Sequence, residues 1–321
     1  MSDSLLGYLL ASGALLLFTA SILITKVASS RLDLGLGFLI ATATNVVFSA
    51  LVLLVQVSLR QEGLSWDMRA FFMFAAAGAF STYLGRWFFY ESVVRFGPAK
   101  ASIFQISSPL FTALMAWLLL GERLSVLVAL GMVMTIAGLM LVSYKPGFFS
   151  RRSTVTAMAP DGEPAPAVEK PRALQRVMQS VLLLGMGSSL AYAIGNVLRG
   201  TAVRDWNEPI LGALIGAASG LALQLAFGSG RAGMASRLRQ ARRSGMALFA
   251  LIGVTTISAQ MLVIGSMRYI PLSVATLVTL CTPILVFPLS YLLFRNEDKI
   301  TATVLAGSGL TLLGIFIIVM R

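Results

Sequence analysis

The chain has 321 residues, of which 57% are hydrophobic and only 12% are charged, and its formal net charge is +12. A soluble domain carries about twice this share of charged residues, so the composition excludes an ordinary soluble protein and indicates a polytopic membrane protein. The apolar runs are long and continuous, which excludes a transmembrane β-barrel built from alternating segments of about ten residues. We therefore predict an all-α integral membrane protein.

Ten apolar runs follow one another along the chain, each long enough to cross the hydrocarbon core of a bilayer. Their predicted bounds are 5–27, 34–57, 69–94, 98–120, 124–144, 177–198, 209–227, 245–267, 271–294 and 300–320. Between the fifth and sixth runs, residues 145–176 are rich in proline and in charges of both signs, which is typical of a flexible linker. The predicted organisation is a first five-helix unit over 1–144, this linker, and a second five-helix unit over 177–321.

The residue inventory excludes several kinds of chemistry. Histidine is absent, which excludes Ser-His-Asp and Cys-His catalysis and histidine-bound zinc. The single cysteine, Cys281, cannot form a disulfide within the chain. The sequence also has no Walker A loop, the phosphate-binding signature of ATP-driven proteins. We accordingly predict a protein that is not an enzyme, without a cofactor or a metal site.

The two halves of the chain resemble each other. Matching residues recur at a spacing of 173 to 176 positions, and the matched pairs are Arg95 with Arg268, Pro98 with Pro271, Pro109 with Pro283, Glu122 with Glu297, Gly131 with Gly307, and Gly138 with Gly314. Because each half has an odd number of spans, the second copy must cross the membrane in the opposite direction to the first. Inverted repeats are the usual architecture of secondary transporters, whose substrate site lies near the middle of the bilayer.

The repeated segments also carry a family pattern. Three segments of the first half resemble the EamA repeat of the drug/metabolite transporter superfamily. They are Arg95-Phe96-Gly97-Pro98-Ala99, Ser108-Pro109-Leu110 and Leu120-Gly121-Glu122-Arg123-Leu124-Ser125. The resemblance covers the whole chain except the linker, and it implies two inverted five-helix EamA repeats and a carrier of small molecules. Small multidrug-resistance relatives exchange protons through a glutamate in their first span. Residues 5–27 contain no acid, so proton-driven efflux by that route is not expected.

A pair of prolines marks the predicted substrate site. Pro109 and Pro283 lie about 17 Å into their helices at a rise of 1.5 Å per residue, near the bilayer centre. Proline has no N–H, so the carbonyls of Gln105 and Thr279 lose their usual helical partners and need protein or water to satisfy them. The polar side chains nearby, which we predict to bind the substrate, are Gln105, Ser108, Thr279 and Thr282. Alternatively, serine and threonine hydroxyls bond these carbonyls, and the kinks only shape packing.

Arg86 is the charge that lies deepest within a predicted span. Because an arginine inside the bilayer is costly, it should face a cavity or a partner. It could bind a carboxylate or phosphate of the substrate through two parallel hydrogen bonds, or it could stack on Tyr83 or Tyr90 or extend to the nearer surface.

Glu91 precedes Arg95 by four residues, which favours a local ion pair. Glu91 is also the acid best placed for proton coupling, because burial favours its protonated form.

Polar and small residues within the spans either hold helices together or line a cavity. Asn45, Asn196 and Gln260 are uncharged polar residues of this kind, and we include Asn196 and Gln260 among the predicted substrate-binding residues. The glycines of the seventh run recur at every fourth position, which predicts a face that a neighbouring helix approaches closely. They are Gly212, Gly216 and Gly220.

Basic residues are distributed unevenly between the two predicted loop sides. The richer side includes the linker and the loop from Arg231 to Arg243, so the positive-inside rule places both termini outside, whereas the resembling family has both inside. The poorer side holds Arg60, Arg69, Arg123, Arg199, Arg204, Arg268 and Arg321. The positive charge fits loops that face anionic lipid better than nucleic acid, because no aromatic residues are interleaved with the basic ones.

The sequence thus predicts a multi-pass protein of the cell (inner) membrane that carries a small polar organic metabolite or drug, as in efflux, by alternating access around a central cavity. Its expected partners are the small-molecule substrate and membrane lipids, with no nucleic acid. One alternative is a flippase-like factor or an enzyme that acts on amphiphilic lipid intermediates, although carboxylates for acid–base chemistry are sparse. Another is a channel or a scaffold, which would not accumulate a substrate against a gradient.

Overall fold

The computed structural model describes residues 3–60, 65–89, 125–143, 181–227, 238–239, 241–294 and 302–319, together with the isolated positions 108, 111, 115, 117–119 and 121. These residues form helices and short connections, with no strand among them. The helices are α1 (Asp3–Ser29), α2 (Leu34–Leu59), α3 (Met68–Ala77), α4 (Val126–Ser143), α5 (Val181–Asp205), α6 (Pro209–Phe227), α7 (Arg243–Ser266), α8 (Leu272–Leu280), α9 (Thr282–Phe294) and α10 (Ala302–Val319). A π-helical segment, Gly78–Gly85, continues α3 directly.

Every predicted span except the fourth overlaps described helices. The fourth span, 98–120, lies outside the described residues apart from isolated positions, and the linker at 145–176 lies outside them entirely. Four helical stretches are long and apolar enough to cross a membrane, namely Asp3–Ser29, Gly35–Leu59, Pro209–Phe227 and Arg243–Ser266. Large apolar side chains on these helices are exposed, among them Leu16 and Leu54. An exposed apolar surface of this kind is typical of contact with lipid.

Aspartates begin two of the helices. Asp33 accepts a hydrogen bond from the backbone N–H of Leu36 at 3.2 Å, and Asp67 accepts one from the backbone N–H of Ala70 at 2.8 Å. Such N-cap side chains satisfy backbone donors that have no partner in the first helical turn. The polar caps therefore fix where α2 and α3 start.

Glycines bring α6 close to α3 and the π-helical segment. A side chain at Gly212 would overlap the ring of Phe74, and a Cβ at Gly220 would lie 2.5 Å from Thr82 Cγ2. Between these two contacts, the backbone of Gly216 lies directly against the backbone of Gly78. The close-packing face predicted from the glycine spacing is therefore confirmed, and its neighbour is the helix of α3.

The first helices of the two halves run in opposite directions. The start of α1 packs on the turn after α7, where a Cβ at Gly7 would lie 2.7 Å from Ile270 Cγ2. The end of α5 lies at the same turn, because the guanidinium of Arg268 donates to the backbone carbonyl of Arg204. α1 thus begins at the end of the bundle where α5 terminates, and we call this the N-terminal end of the bundle.

The last helices of the two halves, α4 and α10, pack against each other. A Cβ at Gly314 in α10 would lie 2.5 Å from Thr135 Oγ1 and 2.7 Å from the Gly131 carbonyl oxygen in α4. The Thr135 hydroxyl donates to that same carbonyl at 2.7 Å. Since Gly131 and Gly314 both belong to the repeated glycine pattern, residues that recur in the two halves lie at this helix contact.

Candidate functional site

Arg86 lies on the helix that begins with α3, and its side chain contacts α2. Its Nη1 donates to Thr42 Oγ1 at 2.9 Å, and its guanidinium carbon lies 5.4 Å from the centroid of the Phe38 ring. Both partners belong to α2 and both are uncharged, so the cation is held by a hydroxyl and an aromatic face. The aromatic ring that contacts the Arg86 guanidinium is therefore that of Phe38. The sequence suggested Tyr83 or Tyr90 for this role, and Tyr90 lies outside the described residues.

A second arginine, Arg199, is buried within α5. The residue is only 5% exposed, although the sequence assigned it to a loop. Its Nη2 donates to Ser81 Oγ at 2.6 Å, and Ser81 in turn donates to the carbonyl of Ala77 at 2.7 Å. Arg86 follows Ser81 by five residues on the same helix. The structure therefore packs a second, buried arginine against the helix that carries Arg86, where the sequence had predicted one arginine within the spans.

The sequence contained a signal that could have placed Arg199 inside a helix. The sixth predicted run ends at residue 198, directly before Arg199, yet apolar residues resume at Ala202 and Val203. In the structure, α5 continues to Asp205, so Arg199 lies about 9 Å before the end of the helix. The position of the charge predicts a helix that ends before Arg199, whereas α5 continues through this residue.

α5 carries a stripe of polar residues on the side that contacts the π-helical segment. The stripe consists of Ser188, Tyr192, Asn196 and Arg199, whose spacing places them on one face of the helix. The Ser188 hydroxyl donates to the Gly85 carbonyl at 2.9 Å, and a Cβ at Gly85 would lie 3.2 Å from the Tyr192 ring. Both arginines adjoin this segment, since Ser81 lies within it and Arg86 follows it. A π-helical turn is rare and frequently marks a functional site.

The ninth predicted span is interrupted at Cys281, between α8 and α9 and two residues before Pro283. The Thr279 hydroxyl donates to the carbonyl of Thr276 at 2.8 Å, and the Thr282 hydroxyl donates to the carbonyl of Thr279. The carbonyl that proline leaves free is thus bonded by a threonine hydroxyl, the arrangement considered as the alternative to a substrate site. Thr279 and Thr282 lie together at this interruption.

The other predicted site residues are dispersed among several helices. Asn196 and Gln260 are partly buried in α5 and α7, and Ser108 is buried at an isolated described position. Gln105, Pro109 and Glu91 lie outside the described residues. Asn196 precedes Arg199 by three residues on the polar stripe, so it is the predicted residue that shares a helix face with the second arginine.

Asn45 links α2 to α7. In the amide orientation that satisfies its hydrogen bonds, the side-chain nitrogen donates to the carbonyl of Gly253 at 2.7 Å and to the carbonyl of Ala41 at 2.9 Å. Asn45 is 5% exposed, and Gly253 belongs to the facing helix. Its side chain therefore cross-links helices, the first of the two roles considered for it from the sequence.

An ion pair joins the two halves at the N-terminal end of the bundle. Arg60, directly after α2, donates to Glu208, which directly precedes α6. The two side chains differ in exposure, with 37% of Arg60 and 6% of Glu208 accessible to solvent. Trp206 packs nearby, and its indole N–H donates to the carbonyl of Ser65 at 2.9 Å.

Removal of either partner of this ion pair should have unequal effects on stability. Arg60→Gln leaves a buried carboxylate unpaired, which costs about 3 kcal/mol or more, whereas Glu208→Gln leaves an arginine that solvent can reach. We expect the lower melting temperature for Arg60→Gln, measured by thermal unfolding of the full chain in detergent. Arg242→Gln, at an exposed position before α7, is the control for loss of one positive charge. Equal melting temperatures for the two ion-pair variants would contradict this prediction.

An all-helical bundle with lipid-exposed apolar helices and buried polar groups between them is typical of membrane transport proteins. The model of the EamA-like transporter family matches this chain twice, over residues 5–144 and 179–320. The chain belongs to the EamA-like transporter family, and the resemblance to the drug/metabolite transporter superfamily seen in the sequence is thereby confirmed. The protein is an integral membrane protein of a transporter family.

The fold is also found among solved structures. One crystal structure superposes on this chain with a TM-score of 0.68 at 15% sequence identity, over 98% of this chain and 97% of that chain. At this level of identity the likeness shows a shared fold alone. No curated protein matches the sequence.

Proposed function

We propose that this protein is a secondary transporter that carries a small polar organic metabolite or drug across the cell membrane by alternating access. The observation that supports this most directly is the opposed direction of the first helices of the two halves, in which α1 begins where α5 terminates. Inverted halves can enclose one site at their interface and expose it to either side of the membrane by rocking. Membership of a transporter family agrees with this mechanism.

The proposed substrate site lies between the first half and the polar stripe of α5. Arg86 supplies a positive charge near the π-helical segment, and the interruption between α8 and α9 supplies polar groups within an apolar helix. Interrupted helices form substrate or ion sites in many transporters. Here the Thr279 and Thr282 hydroxyls donate to backbone carbonyls, so their oxygen atoms can accept hydrogen bonds from a substrate. The residues that we propose to bind the substrate are Arg86, Gln105, Ser108, Asn196, Gln260, Thr279 and Thr282. Pro109 and Pro283 would bend their helices, and Glu91 would couple transport to protons.

Transport by proteoliposomes tests this proposal. The purified full chain is reconstituted, a pool of metabolites is added outside under an imposed proton or sodium gradient, and the internal contents are identified by mass spectrometry. We expect at least one compound to accumulate above its external concentration and to leak out when the gradient is dissipated.

Other outcomes of the same assay point to the alternative functions. A channel would bring compounds to equal concentrations without accumulation, and an enzyme would generate new compounds from the pool. If protein-containing vesicles took up nothing beyond what protein-free vesicles take up, the transporter proposal would be wrong.

A further inference from the structure

We infer that the transported substrate is a small organic anion, whose carboxylate or phosphate group binds between Arg199 and Arg86. This inference rests on the proposed transport function and narrows its substrate to one charge class. It also assigns a binding role to Arg199, which the sequence had placed in a loop.

Arg199 is a buried charge without a described counter-charge. Its described hydrogen-bond partner is the neutral hydroxyl of Ser81, and the residue is 5% exposed. Carboxylates in the described part of the chain lie at helix ends, away from this position in α5, and they are Asp3, Asp33, Asp67, Asp205 and Glu208. A buried charge is costly unless it is paired, so a protein keeps one where a ligand can supply the opposite charge.

Arg86 adds to this excess of positive charge. Its described partners, Thr42 and Phe38, are uncharged, and it lies on the same helix as Ser81, the partner of Arg199. Like charges within a low-dielectric interior destabilise each other. A single anion between them would offset both the burial and the repulsion, whereas a neutral or cationic substrate would offset neither. The pair therefore favours a substrate with a negative charge.

The surrounding groups orient the Arg199 guanidinium. Ser81 donates to the carbonyl of Ala77, so its lone pairs are left to accept the N–H of Arg199. This bond uses one of the five N–H donors of the guanidinium, and the planar group can present two others to a carboxylate or phosphate. Asn196 lies one turn away on the polar stripe and offers an uncharged amide to the rest of the substrate.

A structural role for Arg199 would leave a different signature from a binding role. An arginine kept for packing contributes to stability, so its replacement lowers the melting temperature. An arginine that binds an anion instead lowers the stability of the protein when no anion is bound. Arg199→Gln removes a buried charge that has no described counter-charge, and we therefore expect the melting temperature without substrate to stay the same or rise. We expect transport, in contrast, to fall about tenfold or more.

The experiment uses the full chain in proteoliposomes with four sets of compounds matched in size. The sets are monocarboxylates and dicarboxylates, phosphate monoesters, the corresponding amides, and the corresponding amines. We expect accumulation of compounds from one or both anionic sets, and the comparison of the two distinguishes a carboxylate from a phosphate substrate. Uptake should be reduced in Arg199→Gln, partly retained in Arg199→Lys, and unchanged in the control Arg242→Gln.

The outcomes separate this inference from the transport function itself. Vesicles that accumulate no compound of any set would overturn the proposed function. Vesicles that accumulate amides or amines but neither anionic set would overturn the anion inference while transport stands. The inference would also fail if Arg199→Gln, compared per folded molecule, transported anions as well as the unaltered chain. If Arg199→Gln did not fold, Arg199→Lys would decide, and anion uptake with unchanged affinity and reduced stability would assign a structural role.

Discussion

Replacement of Arg86 by glutamine is expected to reduce transport severely while leaving the protein folded. Glutamine can still donate to Thr42 Oγ1, which lies 2.9 Å from Arg86 Nη1, but it cannot supply the positive charge. Because the described partners of Arg86 are neutral, no buried carboxylate among them is left unpaired by the substitution. We expect the initial rate of uptake in proteoliposomes to fall about tenfold or more, with little change in melting temperature.

Two control variants separate the charge of Arg86 from its packing. Arg86→Lys keeps a point charge but loses the planar fork of donors, so it should retain part of the uptake rate. Phe38→Leu removes the aromatic face at 5.4 Å and should weaken transport less than the loss of the charge does. Unaltered KM and maximal rate in Arg86→Gln would remove this residue from the proposed site.

Replacement of Gly78 by alanine is expected to destabilise the protein severely. A Cβ at this position would overlap the backbone carbonyl of Gly216, so α6 and the π-helical segment would have to separate. Overpacking of this kind costs about 3 kcal/mol or more when backbone must move. The backbone of Gly78 is helical, so alanine itself introduces no conformational strain there. We expect a lower melting temperature and a lower yield of monodisperse protein in detergent.

Gly216→Ala, on the opposite side of the same contact, provides a matched control. A Cβ there would lie 3.4 Å from the Phe74 carbonyl oxygen and 3.7 Å from Gly78 Cα, which are ordinary van der Waals distances. Alanine also has the higher helix propensity, so this variant should melt near or slightly above the unaltered protein. Similar losses of stability in both variants would show that the contact is not as close as the structure places it.

The helices and the family could be predicted from the sequence because both depend on local patterns. A long apolar run in lipid must satisfy its own backbone hydrogen bonds, so it forms a helix wherever it lies in the fold. α1, α2, α6 and α7 follow the predicted runs closely for this reason. The EamA pattern combines short motifs with a duplication, and the family match over both halves confirms it. The glycine spacing likewise predicted the packing face of α6, because the pattern lies within a single helix and can be recognised without knowledge of the neighbouring helix.

The predicted substrate site was accessible from the sequence only in part. Arg86 could be identified because a charged residue within an apolar run is easily recognised in the sequence. Its partner Phe38 lies on another helix, and no feature of the sequence near Arg86 indicates that contact. The prolines indicated where a helix would be interrupted, but the pairing of Thr282 with the Thr279 carbonyl depends on the local geometry around Cys281. The binding roles of the site residues stay predictions that transport measurements can test.

By itself, the sequence determined that this chain lies in a membrane, that it consists of apolar helices in two related halves, and that it belongs to a transporter family. Only the tertiary structure decided that Arg199 is buried beside Ser81, on the helix that also carries Arg86. The reason is physical. Whether a helical stretch forms depends on its own residues, whereas the burial of one side chain depends on which helix packs against that face, and here the partners are more than one hundred residues apart along the chain.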